Sequence, residues 1–397
     1  MPEKLHIAMV LRSFSVGGGL ELYAHKQVEG LLDRGHRVTV VCSESKSELG
    51  HENLRIIRFA APRTGAGKAE RLQHQFQAAT DAVASAGPFD IVHSQHLPMD
   101  GANVVTFHNH TVFRLSKVGR PWERSLNDVK LNMVPAYRLR EQYDRLLCSQ
   151  ARCLMFSSRT CRDDFYDTYG SSCNLEATPW VVAYPGAELS GSGSDMHGDR
   201  QHPTARQFSF LFVGRGYRKK GLDVLLKACG ILSRQGKHFK LLIAGMGARP
   251  IDRARLVWMR LEDQVDYLGF CKDMDAVYRQ CQVIVMPSRV EPFGMAPLQA
   301  MLRGLCPIVS RVSGISEVLQ DGQNGLVLED HLDARELARL MSRLIDEPGT
   351  LAAMGDESRK LASEMTWDKC VERTLEGYQL ALTAPEGKPR LQKNQAI

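Results

Sequence analysis

Short apolar runs alternate with longer amphipathic stretches along the whole chain. In the first half, apolar runs predict strands over residues 6–11, 37–42, 54–59, 90–93, 103–107 and 153–157. Helical spacing of apolar positions predicts helices over residues 20–34, 68–85 and 122–150, the last one broken at Pro135. Strands that alternate with helices in this way are typical of a parallel sheet with helices on both faces.

The alternation stops and then starts again. Residues 187–207 are rich in Gly, Ser, Asp and His and have no apolar period, so we predict a linker there. Further strands are predicted over residues 208–213, 239–244, 265–269, 283–286, 306–309 and 325–328, and helices over 221–234, 332–345 and 366–382.

This pattern predicts an α/β fold with two doubly wound, Rossmann-like domains that face each other across a cleft. The predicted divisions are an N-terminal domain over 1–186, the linker, a C-terminal domain over 208–365, a closing helix over 366–384 that returns toward the first domain, and a disordered tail over 385–397.

Composition narrows the class of protein. The 397 residues are 43% hydrophobic and 24% charged, which excludes a disordered or low-complexity chain. No apolar run approaches the ~18 residues that a membrane-spanning helix needs. Arg12 and a glycine cluster follow the first apolar run, so we interpret that run as a strand and not as a signal peptide. A soluble two-domain protein is expected.

The ten cysteines do not form a recognisable framework. Cys42, Cys229, Cys281 and Cys306 lie inside apolar segments, where cysteine behaves as a small hydrophobic residue. No C-x-x-C pair occurs, so neither a zinc ribbon nor a thioredoxin-like site is indicated. A reduced, cytoplasmic compartment is the simplest interpretation.

Three loops at predicted strand ends carry candidate chemistry. Gly17, Gly18 and Gly19 separate the first strand from the first helix, where free backbone N–H groups can bind an anion or the glycines can simply form a tight turn. The pattern is not G-x-G-x-x-G, so the dinucleotide fingerprint is not met.

A basic loop follows the first strand of the second domain. Arg215 comes two residues after that strand, and Lys219 and Lys220 precede the next helix. Arginine and lysine in this position suit a diphosphate, although a solvated basic loop has the same composition.

The segment from Met286 to Gly304 is the most informative. A strand ends at Pro287, a loop carries Glu291, and a helix begins near Gly294 with Gln299 on its second turn. The first amides of that helix can bind a phosphate, and Glu291 either contacts a ligand or caps the helix.

Taken in order, these motifs resemble the retaining glycosyltransferases of family 4, which have the GT-B fold. The resemblance also covers Val181–Gly186, Ser313–Glu317 and Asp321–Gly325 and extends over nearly the whole chain. The glycine loop, the Pro-Gly turn and the closing helices look most like those of bacterial enzymes that glycosylate lipopolysaccharide core or other surface glycans. The resemblance implies retaining transfer from a nucleotide-diphosphate sugar, with UDP favoured. It also implies that this transfer requires neither a metal nor another cofactor.

The resemblance also implies roles for particular residues. Arg215 and Lys220 would neutralise the diphosphate leaving group, and Glu291 would contact the donor sugar. Residues 268–272 would border the nucleobase. The remaining donor-binding residues implied are Gly18, Gly19, Phe293, Gly294, Met295, Ala296 and Gln299.

One position departs from the family. A second Glu, expected to bind the ribose hydroxyls, is replaced by Gln299. This replacement leaves a catalytically silent sugar-nucleotide or glycan-binding protein as an alternative. A GT-B-fold sugar-nucleotide epimerase is a further alternative, although no set of acid/base carboxylates for it stands out.

Histidines and a D-x-D sequence raise further possibilities. The family often has a catalytic His where this chain has His108, with His110 as the second candidate; both also fit metal ligands or surface residues. Asp273 and Asp275 spell the manganese motif of other glycosyltransferases, but we expect them to begin a helix as N-cap and first-turn acid.

A basic stretch suggests a partner. Residues 113–162 contain eleven Lys or Arg against four Asp or Glu, interleaved with apolar side chains. This composition suits a glycan or glycolipid acceptor at an anionic membrane surface, hence a peripheral protein on the inner face of the membrane, or else an ordinary solvated helix face. No nucleic-acid-binding module accompanies the charge.

Overall fold

The computed structural model describes residues 4–61, 65–189 and 207–384. Residues 190–206 of the predicted linker and the predicted tail over 385–397 lie outside the described residues. The strands are β1 (His6–Phe14), β2 (Arg37–Ser45), β3 (Leu54–Arg58), β4 (Ile91–Ser94), β5 (Val104–Phe107), β6 (Cys153–Phe156), β7 (Trp180–Val182), β8 (Ser209–Val213), β9 (Lys240–Ala244), β10 (Val265–Gly269), β11 (Val283–Met286), β12 (Cys306–Ser310) and β13 (Leu326–Leu328).

Helices connect most of these strands. They are α1 (Gly19–Asp33), α2 (Lys68–Ala86), α3 (Arg114–Lys117), α4 (Pro121–Met133), α5 (Pro135–Gln150), α6 (Arg159–Tyr169), α7 (Leu222–Arg234), α8 (Pro250–Met259), α9 (Met274–Tyr278), α10 (Met295–Leu302), α11 (Ala334–Asp346), α12 (Pro348–Glu364) and α13 (Trp367–Thr383), with 3-10 turns at Leu175–Ala177 and Gly314–Glu317. The break at Pro135 is confirmed, because α4 ends at Met133 and Pro135 begins α5.

The chain divides into two compact units. The first contains residues 1–186 and 367–397, so α13 belongs to it, and the second contains residues 187–366. The first has a seven-stranded sheet in the order β3-β2-β1-β4-β5-β6-β7, and the second has a six-stranded sheet in the order β10-β9-β8-β11-β12-β13. All strand pairs in both sheets are parallel. The predicted α/β fold with two doubly wound sheets is confirmed.

The first sheet is buried on both faces, which explains its nearly continuous apolar strands. Alternate residues of β1 point into two different cores: Met9 packs with residues of α1 and α13, and Val10 packs with residues of α2 and α6. In the second unit, α7 packs against α11 and α10 against α12.

In each unit the strand order reverses beside its first strand. The reversal lies between β1 and β4 in the first unit and between β8 and β11 in the second. Loops at the carboxyl ends of these strands diverge there and leave a crevice in which such folds bind ligands.

Cys42, Cys229, Cys281 and Cys306 are buried, as their apolar segments predict; all ten cysteines are free and nine are buried. Within the described ranges, no helix has the length and apolar character needed to cross a membrane.

Candidate functional site

Two oppositely charged side chains meet where the strand order of the second unit reverses. Lys220 lies in the turn between β8 and α7, and Glu291 lies in the loop after β11. The Lys220 ammonium donates a hydrogen bond to Oε2 of Glu291. The side chains keep 22% and 11% of their exposure, so this pair is shielded from water but reachable from the crevice.

A second ion pair holds the two loops together. Arg289 donates to both carboxylate oxygens of Asp223, at 2.7 and 2.8 Å, and to the backbone oxygen of Arg218 at 2.6 Å. The backbone N–H of Arg289 donates to the backbone oxygen of Lys219 at 2.9 Å. Arg289 therefore ties the loop after β11 to the turn that carries Lys220, and a paired arginine of this kind holds its geometry better than a lysine would.

Glu291 is also fixed by its own backbone. Its carbonyl accepts from Gly314 N–H at 3.1 Å, and the Ser288 hydroxyl donates to its carboxylate at 3.4 Å. The next residues are anchored as well, because Phe293 O accepts from Ile315 N–H at 2.7 Å and from the Ser313 hydroxyl at 3.1 Å. The carboxylate is therefore held in one position before any ligand arrives.

The helix predicted after Glu291 is present as α10. Gly294 is its N-cap residue, and Met295 and Ala296, both partly exposed, form its first turn. The first N–H groups of a helix lack intrahelical acceptors and favour anions. Phe293 is buried and anchors the loop through its backbone.

The Gln299 side chain on α10 is hydrogen-bonded to a neighbouring arginine. Its side-chain oxygen accepts from Arg303 Nη1 at 3.0 Å, and Arg303 also pairs with Asp275.

The N-cap prediction for Asp273 is confirmed, since its carboxylate accepts from Ala276 N–H at 3.0 Å at the start of α9. Among the described residues, no three His, Cys, Asp or Glu side chains cluster in a way that could hold a metal ion.

The other residues predicted in the second unit lie on exposed loops. Arg215 is exposed two residues after the end of β8. In the segment predicted to border a nucleobase, Leu268 and Phe270 keep 39% and 72% of their exposure at the end of β10.

The predicted residues of the first unit lie at the carboxyl ends of β1 and β5. Gly18 is the N-cap residue of α1, and Gly19 is the first residue of that helix. His108 directly follows β5; its ring meets Tyr23 of α1 edge-on, with centroids 4.8 Å apart, and its Nε2 lies 2.6 Å from Oε1 of Gln95. Burial, with smaller contributions from His96 and His93, holds the pKa of His108 well below its ordinary value.

The second histidine candidate has a different environment. His110 is 5% exposed, and its Nδ1 lies 3.2 Å from Oδ2 of Asp164. Burial alone would raise the pKa of Asp164, but hydrogen bonds from His110 and from Thr111 N–H hold it below its ordinary value. His110 thus joins β5 to α6 inside the unit, whereas His108 remains partly exposed.

Two family models match the sequence. The model of Glycosyltransferase Family 4 matches residues 17–190, and the model of glycosyl transferases group 1 matches residues 199–361. Both parts of the chain are therefore similar to glycosyltransferase domains. The predicted enzyme class is confirmed at this level.

Sequence relatives carry a more specific name. The chain is 31% identical over 185 residues to a D-inositol 3-phosphate glycosyltransferase of Arthrobacter sp. (strain FB24), a match that covers 45% of this chain and 44% of that protein. It is 24% identical over 411 residues to the protein of the same name from Corynebacterium urealyticum, covering 94% and 93%. The chain spans about half the length of the first relatives it matches, at 44%, 42% and 53% of them.

Solved structures support the same fold. WaaG, described as a glycosyltransferase involved in lipopolysaccharide biosynthesis, is similar with a TM-score of 0.74 at 16% identity, over 96% of this chain and 100% of that one. Alr3699/HepE of Anabaena, solved with UDP and glucose, is similar with a TM-score of 0.66 at 18% identity, over 94% and 98%. At these identities the likeness shows the fold, which confirms the GT-B prediction.

Sequence reasoning missed the residues that hold the candidate site in place. Arg289 and Asp223 lie 66 residues apart, and Gln95 lies 13 residues from His108. The one available signal was position, because Arg289 and Gln95 each follow closely after a predicted strand.

Proposed function

We propose that the protein transfers a sugar, with retention of configuration, from a nucleoside-diphosphate sugar to a glycan or glycolipid acceptor. UDP is the favoured nucleotide. The observation that carries the proposal is the Lys220–Glu291 pair, held beside the N-terminus of α10 at the point where the strand order of the second unit reverses. Cation, carboxylate and helix N-terminus together provide a partner for each part of such a donor.

The proposed chemistry assigns each group a task. Lys220 and Arg215 neutralise the charge that develops on the diphosphate as the glycosidic bond breaks, and the first amides of α10 bind the distal phosphate. Glu291 accepts hydrogen bonds from sugar hydroxyls. The leaving phosphate helps to deprotonate the acceptor on the same face of the sugar, so no carboxylate nucleophile is needed. We propose that transfer requires neither a metal ion nor a cofactor.

Two acceptor classes follow from the similarities. The sequence resemblance favours a cell-surface glycan such as lipopolysaccharide core, and the fold of WaaG is compatible with it. The names of the sequence relatives favour D-inositol 3-phosphate. A panel with both acceptors and UDP-sugars separates them, because only the true acceptor accelerates UDP release above the rate of donor hydrolysis.

A peripheral membrane location is supported by α4. Its exposed face carries an apolar stripe at helical spacing, formed by Trp122, Leu126, Val129 and Met133 at 48%, 50%, 52% and 71% exposure. Lys130 is exposed at the edge of this stripe, whereas Arg124 is exposed on the opposite side of the helix. An apolar stripe with a cation at its edge suits the interface of an anionic bilayer. Met133→Glu should weaken sedimentation with phosphatidylglycerol vesicles, whereas Val257→Glu, at an exposed apolar position of α8, should not; equal binding of both variants would contradict this location.

The deciding experiment for the activity is calorimetry with UDP, GDP and ADP, followed by hydrolysis of the matching sugar nucleotides, with and without EDTA. Binding of UDP together with slow, EDTA-insensitive hydrolysis supports the proposal. Binding without turnover on any acceptor would favour a silent sugar-nucleotide-binding protein. Formation of an epimeric sugar would favour an epimerase, and binding of no nucleotide would overturn the nucleotide-sugar assignment.

A further inference from the structure

A chain of polar side chains runs through the interior of the first unit. It begins at His108 after β5, continues through Gln95 after β4 and Gln27 on α1, and ends at Thr374 on α13. The successive distances between their polar atoms are 2.6, 2.7 and 2.7 Å. Gln95, Gln27 and Thr374 are 2%, 0% and 0% exposed, so water does not compete for these hydrogen bonds.

The donor–acceptor direction of these hydrogen bonds is fixed at Thr374. The Thr374 hydroxyl donates to the backbone oxygen of Cys370, one helical turn earlier, at 2.8 Å. Its single proton is therefore used, and its oxygen accepts from the Gln27 amide nitrogen. This orientation turns the side-chain oxygen of Gln27 toward Gln95.

The middle of the chain gives the same direction independently. The amide nitrogen of Gln95 lies 2.7 Å from the Gln27 side-chain oxygen and 2.9 Å from Met9 Sδ, both of which are acceptors. The reverse orientation would place the Gln95 oxygen against the sulfur. The Gln95 oxygen consequently faces His108, and an oxygen without a proton can only accept from the imidazole.

We propose that Thr374, Gln27 and Gln95 hold His108 in its Nε2–H tautomer and so present Nδ1 as a hydrogen-bond acceptor for a hydroxyl of the bound substrate. None of the described residues hydrogen-bonds to Nδ1, and the ring is partly exposed. The three residues act as positioning residues, because they reach the substrate only through His108. That the hydroxyl belongs to a sugar donor or acceptor rests on the function proposed above; the tautomer itself does not.

Burial supports a neutral ring. It holds the pKa of His108 well below its ordinary value, so the proton on Nε2 is the only ring N–H proton at neutral pH. A neutral imidazole with a fixed proton offers one acceptor in one direction, which is the arrangement that orients a hydroxyl.

The test uses histidine 15N spectra of the full chain, in which a protonated ring nitrogen differs clearly from an unprotonated one. The His108 signals are assigned by their loss in His108→Asn. In the wild-type protein we expect Nε2 protonated and Nδ1 unprotonated. Thr374→Val removes the hydroxyl that accepts from Gln27 and should give a mixture of His108 tautomers. Thr374→Ser keeps the hydroxyl and should retain the wild-type pattern.

Activity provides the second readout. The partner behind a metal-binding histidine is typically worth about 10–100-fold in activity, and we expect a loss in kcat at the lower end of that range for Thr374→Val, with the KM for the donor unchanged and with rescue by Thr374→Ser. A protonated Nδ1 in the wild-type protein, or a wild-type tautomer in a folded Thr374→Val variant, would overturn the inference. If Thr374→Val does not fold, the wild-type spectrum alone decides. Absence of any transferase activity would count against the proposed function but would leave the spectroscopic test intact.

Discussion

Gly221 packs directly against the backbone carbonyl of Pro287, so closely that an added Cβ would lie 1.9 Å from that oxygen. Gly221 precedes α7, and Pro287 follows β11. The contact brings the loop that carries Lys220 onto the loop that carries Glu291. The close approach of the two backbones thus helps to place Lys220 and Glu291 next to each other.

A first prediction follows from this contact. Gly221→Ala should lower the free energy of unfolding by more than the roughly 1–2 kcal/mol that a left-handed conformation costs a non-glycine residue, because the clash adds to the strain. Gly236→Ala is the matched control: its φ of +73° resembles the +77° of Gly221, but no atom lies within 4 Å of the added Cβ. Urea unfolding of both variants measures the difference. Equal losses of unfolding free energy would show that the backbone around Pro287 shifts to accommodate the added Cβ.

A second prediction concerns Lys220. Lys220→Ala should lower kcat/KM for a UDP-sugar by roughly 30–150-fold, equivalent to ~2–3 kcal/mol of leaving-group stabilisation. Lys227→Ala removes the same charge from an exposed position on α7 and should leave kcat/KM within about two-fold of wild type, because an exposed charge contributes little.

The stability of the Lys220→Ala variant must be measured alongside its activity, since Glu291 loses its cation and is 8% exposed. A folded variant with undiminished turnover would remove Lys220 from the proposed chemistry. A variant whose loss of activity merely tracks its loss of folded protein would do the same.

A third prediction concerns the amide that replaces the family's second carboxylate. Gln299→Glu should tighten UDP binding, or leave it unchanged, as measured by calorimetry. The gain in the free energy of UDP binding should be ~1 kcal/mol or less. Arg303 already donates to the side-chain oxygen at this position, and a carboxylate there would pair with Arg303. Loss of UDP binding in a folded Gln299→Glu variant would show that Gln299 contacts something other than ribose hydroxyls.

The sequence predicted the sheets well because apolar runs report burial on both faces. The end of β1 shows the limit of this signal. The apolar run ends at Leu11, but pairing with β2 continues to Phe14 and Ser45, beyond the last pair with β4 at Ser94. The predicted end of the strand was wrong because exposed Arg12 and half-buried Ser13 interrupt the apolar run, whereas pairing with β2 continues through them to buried Phe14.

The helix α12 was not predicted, and its packing explains why. Besides Leu351 and Met354, its buried positions are small residues. A Cβ on Gly355 would lie 2.7 Å from the backbone oxygen of Gly304, and the Ser358 hydroxyl donates to Leu305 O at 2.9 Å. Small and polar residues leave no strong apolar period in the sequence.

The internal chain behind His108 was equally invisible in the sequence. Gln27 and Thr374 are 347 residues apart and look like surface positions, since glutamine and threonine are mostly exposed. Their burial depends on α13 packing against α1, which the sequence pattern does not specify. The motifs predicted which residues lie at strand ends, whereas the structure was needed to show what holds them.

The last prediction concerns the pH dependence of stability in the first unit. His93 is fully buried between the Tyr378 hydroxyl, 2.8 Å from its Nδ1, and the Thr106 hydroxyl, 2.6 Å from its Nε2, and burial lowers its pKa to about 3. In the unfolded chain a histidine titrates near 6.5. Between about pH 6.5 and pH 3 the unfolded state therefore binds one proton more than the folded state, and the stability due to neutral His93 is lost as the pH falls through this window.

Each pH unit within the window corresponds to about 1.4 kcal/mol. His93→Gln removes the titrating group, so the unfolding free energy of the wild type minus that of the variant should shrink by about that amount per unit between pH 6 and pH 4. Between pH 7 and pH 8 the ring is neutral in both states and the difference should be constant, which provides the internal control. A difference that stays constant down to pH 4 would mean that the interior between β4 and α13 accommodates a protonated ring.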